Sequence, residues 1–301
     1  MEHKKDYWVW WYKLLKNEKI FDEIYFADLT LSKIMDNHQV IKSNDKSVVK
    51  IVTLNNESFV LKKRKRNKEE NSKVEQELLE KLSVNLNVPR ILKLEQKKNY
   101  DYKLYTLMEG EPKLRCNKKE QNELIEEFLK LMYSLSRIDI KIKNGNVKRK
   151  IKKMIYMTNN KMYKECLNKM LLDSEFMKRV KLEQKQIIHD DLNACNILFS
   201  DNNKISFIDF EGLKKYPKSL QIASFITNRY IYEGNISSID YILSRLKLNV
   251  DKEYILKLIV YRSIKTLIFF ENQLKEGDNE FIEKEERLLS SLIKIINILE
   301  A

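Results

Sequence analysis

The chain has 301 residues, of which 43% are hydrophobic and 10% aromatic, and its formal net charge is +13. This length suffices for one large or two modest domains with a substantial core, and the hydrophobic content excludes a disordered chain. No apolar run approaches the roughly 20 residues that a membrane-spanning helix needs, and the start MEHKKDYWVWWY lacks the pattern of a signal peptide. We therefore expect a soluble, cytoplasmic protein.

The cysteines and the basic runs exclude or disfavour several kinds of site. Cys116, Cys166 and Cys195 are odd in number and widely spaced, which indicates neither a disulfide framework nor a zinc site. The densest basic runs are Lys62 to Lys68 and Lys148 to Lys153, and neither has the interleaved aromatic residues that stack on bases. We expect solvated surface there and no specific nucleic-acid partner. The alternative, nucleic-acid binding, predicts a steep salt dependence of polynucleotide retention.

Residues 4 to 18 predict a short helix that carries the three tryptophans of the chain. Trp8, Trp11 and Leu15 recur at helical spacing, and Trp10 extends the apolar face. Such a wide apolar face must be covered, by the body of the domain or by a second subunit. A homodimer through this helix is therefore one expectation, and contact with a membrane surface is the alternative.

An antiparallel meander is predicted between residues 34 and 62. Three runs rich in β-branched residues alternate there with polar turns: Val40-Ile41, Val48 to Val52 and Ser58 to Leu61. Lys62 ends the third run. Residues Glu69 to Ser83 then predict a helix with one apolar side.

The pattern changes from strands to long helices after residue 108. Asp101 to Met108 alternates as a strand does, and Glu109-Gly110-Glu111-Pro112 has the composition of a turn. From Glu120 to Ile138, apolar residues recur at steps of three and four, which predicts an amphipathic helix. Further helical patterns cover residues 139 to 186, Ser219 to Tyr232, Ile239 to Leu246, Tyr254 to Leu274 and Glu280 to Leu299.

The segment from Ile187 to Gly212, IIHDDLNACNILFSDNNKISFIDFEG, predicts a hairpin with polar residues at one end. Asn196 follows Asp191 by five residues, and a turn of Ser, Asp and Asn residues returns the chain to Asp209. We expect these three side chains to converge. Carboxylate and amide oxygens are ligands that Mg²⁺ prefers, and this spacing is the one that phosphoryl transfer uses in kinases.

HDDLNACN followed by FIDFE resembles the paired motifs H-x-D-x-x-x-x-N and I-D-[FWL]-[EG] of the aminoglycoside phosphotransferase and choline kinase family. The resemblance implies a two-lobed, protein-kinase-like α+β fold that phosphorylates small molecules. Its lobes would be a small antiparallel-sheet lobe at residues 1–108 and a larger, mainly helical lobe at residues 109–301. It further implies that Asp191 is the catalytic base, that Asn196 and Asp209 bind Mg²⁺, and that His189 braces the loop.

The same resemblance implies where a nucleoside triphosphate, ATP or GTP, would bind. Lys62 would hold its α- and β-phosphates, oriented by Glu75, with Glu77 as the rival for that role. The adenine edge would pair with main-chain groups from Thr106 to Met108. Val88-Pro89-Arg90-Ile91-Leu92 resembles the start of the family's fourth strand.

Two departures from the family pattern keep an inactive pseudokinase, acting as a binding or structural module, open as an alternative. None of the five glycines lies in the first 109 residues, so the loop from Ser43 to Ser47 is no glycine-rich phosphate cradle. Asn, Asp and Ser still offer backbone N–H groups, and Ser47 is the expected phosphate contact. Gln221 stands where the family often has an aspartate that braces the catalytic loop.

The small-molecule acceptor is left open by the sequence. Aminoglycosides and choline are cations and need acidic or aromatic walls, for which four acidic residues are available: Glu211, Glu233, Asp240 and Glu271. The same lobe is rich in lysine and has no tryptophan for a choline cage. A neutral or anionic acceptor, such as a sugar, a nucleoside or a polyol phosphate, is therefore the alternative.

Overall fold

The computed structural model describes residues 31, 40–43, 47–54, 57–65, 72–113, 115–202, 204–211, 213–231, 234–246, 251–275 and 281–300. The predicted Trp-rich helix at residues 4 to 18 lies outside these ranges, as do residues 44–46 of the predicted phosphate loop. The described residues form two compact units. The first lies within Met1–Lys113, Ile138–Lys141 and Cys195–Gly212, and the second within Leu114–Arg137, Ile142–Ala194 and Leu213–Ala301.

A five-stranded antiparallel sheet with the order β1-β2-β3-β5-β4 is the centre of the first unit. Its strands are β1 (Val40–Ser43), β2 (Ser47–Leu54), β3 (Glu57–Lys65), β4 (Ile91–Gln96) and β5 (Tyr100–Thr106). The predicted meander is confirmed, and β3 continues beyond Lys62 to Lys65.

Side-chain alternation gives this sheet an apolar face and a charged face. Leu61 pairs with Leu104 across β3 and β5, and Lys62 pairs with Lys103 in the next register position. Because successive residues of a strand point to opposite faces, the leucine pair and the lysine pair lie on opposite sides of the sheet. A buried cluster covers the apolar side: Leu31, Val52, Leu54, Phe59, Leu61, Tyr102 and Leu104.

Helix α1 (Ser72–Leu82) packs on the charged side. It buries Leu78, Leu79 and Leu82, and Ser72 Oγ at its start donates a hydrogen bond to Asp101 Oδ2 at 2.6 Å. Since Asp101 alternates with the buried Tyr102, it lies on the same face as Lys103. This hydrogen bond thus ties the first turn of α1 to the charged face.

A second, three-stranded sheet of the first unit has the order β6-β8-β9. Its strands are β6 (Glu111–Pro112), β8 (Ile197–Phe199) and β9 (Ile205–Phe207). Gly110 turns the chain into β6 with a φ of 121°, and a Cβ there would meet the main chain of Phe199 at 2.8 Å. Only glycine fits this turn, because a side chain is both strained and obstructed at that position.

The second unit is mainly helical. Its helices are α2 (Lys118–Arg137), α3 (Val147–Met157), α4 (Lys161–Leu172), α5 (Ser174–Leu182), α6 (Lys218–Ile226), α7 (Ser238–Leu246), α8 (Lys252–Lys275) and α9 (Ile282–Glu300). A π-helical turn, Thr227–Ile231, continues α6, and β7 (Lys185–Ile188) pairs antiparallel with β10 (Lys214–Pro217). Phe128 of α2 stacks on Phe225 of α6 with ring centroids 4.0 Å apart, in the core of this unit.

The predicted α+β class is confirmed, with a small part built on an antiparallel sheet and a larger helical part. None of the helices within the described ranges is long and apolar enough to cross a membrane.

Candidate active site

Lys103 and Tyr105 of β5 bind the carboxylate of Glu75 on α1. Lys103 Nζ donates to Glu75 Oε2 at 2.6 Å, and the Tyr105 hydroxyl donates to Glu75 Oε1 at 2.8 Å. Both ends of the ion pair are buried. Burial raises the pKa of Glu75, and the cation of Lys103 acts in the opposite direction.

The predicted pairing of Glu75 with Lys62 is therefore wrong. The partner of Glu75 is Lys103, which stands directly opposite Lys62 on the same face of the sheet. Helix α1 contacts β4, on the far side of β5 from β3, so the cation of β5 lies nearer to the helix. The rival predicted for this role, Glu77, makes an ion pair at 2.8 Å with Lys81 on the same helix. The strand order and the helix position that bring Lys103 to Glu75 are not readable from the local sequence pattern.

Lys62 is directed instead toward the residues that follow β9. Its Nζ donates to Asp209 Oδ1 at 2.9 Å and lies 3.0 Å from Glu211 Oε2. Burial acts to lower the pKa of Lys62, but the two carboxylates outweigh it and hold that pKa above its ordinary value. Lys62 is thus a fully charged cation beside the predicted metal ligand.

Glu211 joins the cations of β3 and β5 into one network. It accepts from Arg64 and from Lys103, the latter at 3.4 Å, and pairs with Lys62. Three cations and three carboxylates thereby face one another on the charged side of the sheet: Lys62, Arg64, Lys103, Glu75, Asp209 and Glu211. Glu211 is one of the four acidic residues available for the wall of a cationic acceptor site, but its carboxylate belongs to this network of the first unit.

The two residues predicted to bind Mg²⁺ are held next to each other by the β8–β9 hairpin. The Ile208 amide donates to the Asn196 carbonyl at 3.0 Å, one residue before Asp209. Asp209 has a φ of 64°, in the left-handed region that few residues other than glycine adopt. Strain of this kind, on the order of 1–3 kcal/mol, clusters at functional sites. It supports a positioned carboxylate at Asp209.

The oxygen donors of Asn196 and Asp209 fit a magnesium ion. Mg²⁺ is commonly bound by one or two carboxylates together with substrate phosphates. The described residues contain no group of three or more His, Cys, Asp or Glu side chains that could hold a metal by themselves. Water molecules and phosphate oxygens are the usual further ligands of a magnesium ion that is held by so few side chains.

The residues expected to contact the nucleotide base and phosphates lie at or just beyond the ends of two interior strands of the same sheet, β5 and β2. The Thr106 amide donates to the Arg90 carbonyl at 3.0 Å, so the sheet already uses this group. Within the described ranges, the main-chain amide of Met108 makes no main-chain hydrogen bond, which leaves it for the edge of a base. Ser47 begins β2 opposite Arg64, on the face that carries Lys62.

Gln221 braces the loop that carries Asp191 in the second unit. The His189 amide donates to Gln221 Oε1 at 2.6 Å, and Gln221 Nε2 donates to the His189 carbonyl at 3.0 Å. An amide supplies both a donor and an acceptor, which a carboxylate cannot do. Gln221 thus holds this loop by two hydrogen bonds, at the position where the family often has an aspartate.

Asp191 is exposed, and its Oδ1 accepts from Asn193 Nδ2 at 3.0 Å. The Asp191 amide donates to His189 Nδ1 at 3.3 Å, so the buried imidazole supports the loop from within. The structure thus brings Lys62, Glu75, Asn196 and Asp209 into the first unit, and Asp191 and His189 into the second.

Sequence reasoning missed Lys103 and the cations around Asp190. Arg262 and Lys265 of α8 bind the Asp190 carboxylate, and Lys150 of α3 lies beside it. Lys150 belongs to a basic run that we expected to be solvated surface. The only signal available was the first aspartate of the HDD motif, Asp190, which needs cationic partners if it is buried.

Comparison with known proteins identifies a family for this chain. The model of the phosphotransferase enzyme family matches residues 38–227. A comparison with curated protein sequences gives no significant match.

Solved structures of kinases and phosphotransferases share the fold. Choline kinase LicA from Streptococcus pneumoniae is 13% identical, with a TM-score of 0.58, over 87% of this chain and 97% of that one. A thermostable mutant of aminoglycoside phosphotransferase APH(4)-Ia, in complex with AMP-PNP and hygromycin B, is 11% identical, with a TM-score of 0.64, over 87% and 97%. Spectinomycin phosphotransferase APH(9)-Ia, in complex with ADP and its antibiotic, is 12% identical, with a TM-score of 0.59, over 89% and 97%.

Proposed function

Because the chain belongs to the phosphotransferase enzyme family, we propose that it transfers the γ-phosphate of ATP or GTP to a hydroxyl group of a small molecule. The observation that carries this proposal is the contact between Lys62 and Asp209, which lie 147 positions apart in the chain. The cation at the end of the third predicted strand and the carboxylate of the FIDFE motif thus meet on the charged face of the sheet. Two of the similar structures contain AMP-PNP or ADP, which supports a nucleoside triphosphate as the donor.

The nucleotide would bind on the charged face of the first unit. Lys62 would turn from Asp209 to the α- and β-phosphates, and Ser47 would offer its main chain to the phosphates. The Met108 main chain and its neighbour Thr106 would receive the base. Glu75 would not touch the nucleotide, because its carboxylate is bonded to Lys103 and Tyr105; it would position α1 against the sheet.

The reaction would use Asp191 as the base. An exposed carboxylate can accept the proton of the acceptor hydroxyl as the new phosphorus–oxygen bond forms and the bond to the nucleoside diphosphate breaks. Magnesium on Asn196 and Asp209, when bound, would neutralise charge on the phosphates. Lys62 would supply a further fixed positive charge, and Gln221 would keep the Asp191 loop in position.

Measurement of nucleoside diphosphate release tests this proposal. The purified protein is incubated with Mg-ATP or Mg-GTP and a panel of hydroxyl acceptors that includes aminoglycosides, choline, sugars, nucleosides and polyol phosphates. We expect Asp191→Ala to abolish turnover while nucleotide affinity stays nearly unchanged, and Asp209→Ala to remove metal-dependent nucleotide binding. Asp201→Ala removes an exposed carboxylate from the β8–β9 turn and serves as the matched control.

The pseudokinase alternative predicts a different result. A protein that binds Mg-ATP but releases no diphosphate with any acceptor, and whose Asp191→Ala variant behaves like the parent, would be a binding module. Equal and mild losses in Asp191→Ala and Asp209→Ala would contradict the roles proposed for both residues.

A further inference from the structure

Asp190 in the second unit is surrounded by more positive charge than it can neutralise. Arg262 Nη1 donates to its Oδ1 at 2.6 Å, and Arg262 Nη2 donates to its carbonyl at 2.7 Å. Lys265 Nζ donates to Asp190 Oδ2 at 2.7 Å. Lys150 Nζ lies 3.8 Å from the same Oδ2, beyond hydrogen-bond distance. Three cations thus share one carboxylate.

Of the three cations, Lys150 has the weakest contact with the Asp190 carboxylate. Ser224 and Arg262 already donate to one oxygen of Asp190, and Lys265 donates to the other. The Lys150 ammonium lies 4.6 Å from the centroid of the Tyr216 ring, and its Nζ makes no hydrogen bond to any other described residue. The geometry therefore holds a positive charge beside Asp190 and Tyr216, and the Lys150 ammonium donates to no acceptor in the part of the chain that the structure describes.

The titration of the cluster agrees with an excess of positive charge. Burial lowers the pKa of Lys150 to about 8, and the charges of Lys265, Arg262 and Lys214 act in the same direction against Asp190. Burial and the charge of Arg262 also lower the pKa of Lys265. Another negative charge nearby would stabilise the protonated form of both lysines.

Two of these cations are reachable from solvent next to the proposed base. The side chains of Lys150 and Lys265 are 32% and 36% exposed, whereas that of Arg262 is 4% exposed. Asp190 directly precedes Asp191 in the chain. An anionic group that contacts Lys150 and Lys265 would lie within a few residues' length of the carboxylate that takes the acceptor proton.

We propose that Lys150 and Lys265 form a subsite for a phosphate or carboxylate group of the acceptor, so that the substrate is an anionic hydroxyl compound. This inference rests on the proposed function, because it places the anion beside the catalytic base of that reaction. Lys150 and Lys265 are specificity-determining residues in this proposal, and Arg262 keeps Asp190 in place between them.

The acidic residues that a cationic acceptor would need have other partners. Glu211 belongs to the network of the first unit, and Asp240 pairs with Lys252 at 2.6 Å. Glu271 accepts from Thr158 Oγ1 at 3.5 Å, and Glu233 lies outside the described ranges. Within the described part of the helical unit, the charge beside the proposed base therefore favours an anion.

Calorimetric binding without nucleotide tests the subsite apart from turnover. The probes are glycerol 3-phosphate and inorganic phosphate, compared with glycerol and choline at neutral pH. We expect glycerol 3-phosphate to bind more tightly than glycerol and choline. Lys150→Met and Lys265→Met should each weaken its binding about 10-fold, the loss expected when a charge-assisted hydrogen bond is removed.

Lys153→Met is the matched control for Lys150→Met. This substitution removes one lysine from an exposed position of the same helix, and Lys153 makes no hydrogen bond or ion pair with Asp190 among the described residues. A thermal melt of each variant establishes that it is folded. Equal binding of glycerol 3-phosphate by Lys150→Met and Lys153→Met would overturn the inference, and so would tighter binding of choline than of glycerol 3-phosphate.

Turnover measurements separate this inference from the proposed function. Anion binding that depends on Lys150, without diphosphate release for any acceptor, would support the subsite and contradict the phosphotransferase. Turnover of cationic acceptors that Lys150→Met leaves unchanged would support the phosphotransferase and contradict the subsite.

Discussion

Lys62 Nζ and Asp209 Oδ1 lie 2.9 Å apart, which places the expected phosphate-binding cation on the expected metal ligand. In this arrangement the two side chains neutralise each other. A triphosphate would compete with Asp209 for Lys62, and a magnesium ion would compete with Lys62 for Asp209. Nucleotide and metal are therefore expected to favour each other's binding, since each removes the competitor of the other.

Substitution of Lys62 tests this competition. Lys62→Met should weaken Mg-ATP binding by about 10- to 100-fold, because it removes a charge-assisted contact to the phosphates. Isothermal calorimetry measures the change. Lys63→Met is the control, since Lys63 points to the opposite face of the same strand, with its Nζ 4.7 Å from the Tyr100 ring. An equal loss of affinity in both variants would contradict the role of Lys62.

The buried pair of Lys103 and Glu75 predicts strong coupling in unfolding experiments. Lys103→Met should destabilise the protein by about 3–5 kcal/mol, because it leaves a buried carboxylate without its cation. The double variant Lys103→Met/Glu75→Leu should recover most of this loss, since both charges are then absent. Urea unfolding of the single and double variants measures the coupling energy. Additive losses would show that the pair is not coupled.

Asp190 predicts a stability difference that depends on pH. Burial acts to raise its pKa, but Arg262, Lys265 and Lys150 hold that pKa well below its ordinary value. A depressed pKa contributes stability above the pKa of the unfolded chain, about 4, and this contribution is lost as the pH falls toward the folded value. Asp190→Asn should therefore cost about 3–5 kcal/mol at neutral pH, and less as the pH falls below about 4.

Urea unfolding at several pH values measures this difference. Asp201→Asn, at an exposed position, is the control and should change stability little at any pH. A penalty for Asp190→Asn that grows as the pH falls would contradict the ion-pair assignment.

The two hydrogen bonds of Gln221 predict that an acidic residue at this position is harmful. Gln221→Glu should destabilise the protein by about 1–3 kcal/mol and lower turnover, because the His189 carbonyl loses its donor and a charge is buried. Thermal unfolding and diphosphate release measure the two effects. Gln184→Glu makes the same change at an exposed position and should be neutral in both assays. Turnover that rises in Gln221→Glu would show that the loop needs a carboxylate.

Much of the fold and part of the site were predictable from local patterns. The β-branched runs Val48 to Val52 and Ser58 to Leu61 identified β2 and β3, and the steps of three and four from Glu120 to Ile138 identified α2. The HDDLNACN and FIDFE motifs resemble the paired motifs of the family, and the match of the family model confirms that resemblance. These features depend on neighbours within about one element, so the sequence reports them directly.

The partners of the charged residues were not predictable in the same way. Glu75 binds Lys103 rather than Lys62 because α1 packs beside β4, on the β5 side of the sheet, and the position of a helix on a sheet leaves no local sequence pattern. Glu211 was one of four acidic residues available for an acceptor wall, although β3 supplies cations to it from more than a hundred positions away.

The sequence by itself determined which elements form and which family the chain belongs to, because periodicity and short motifs are local features of the chain. Only the tertiary structure decided how the charges pair. Arg262 and Lys265 bind Asp190 although they lie 72 and 75 positions away in the chain, and Lys103 binds Glu75. Electrostatic energy depends on distance in space and on burial, and neither is recorded in the order of the residues.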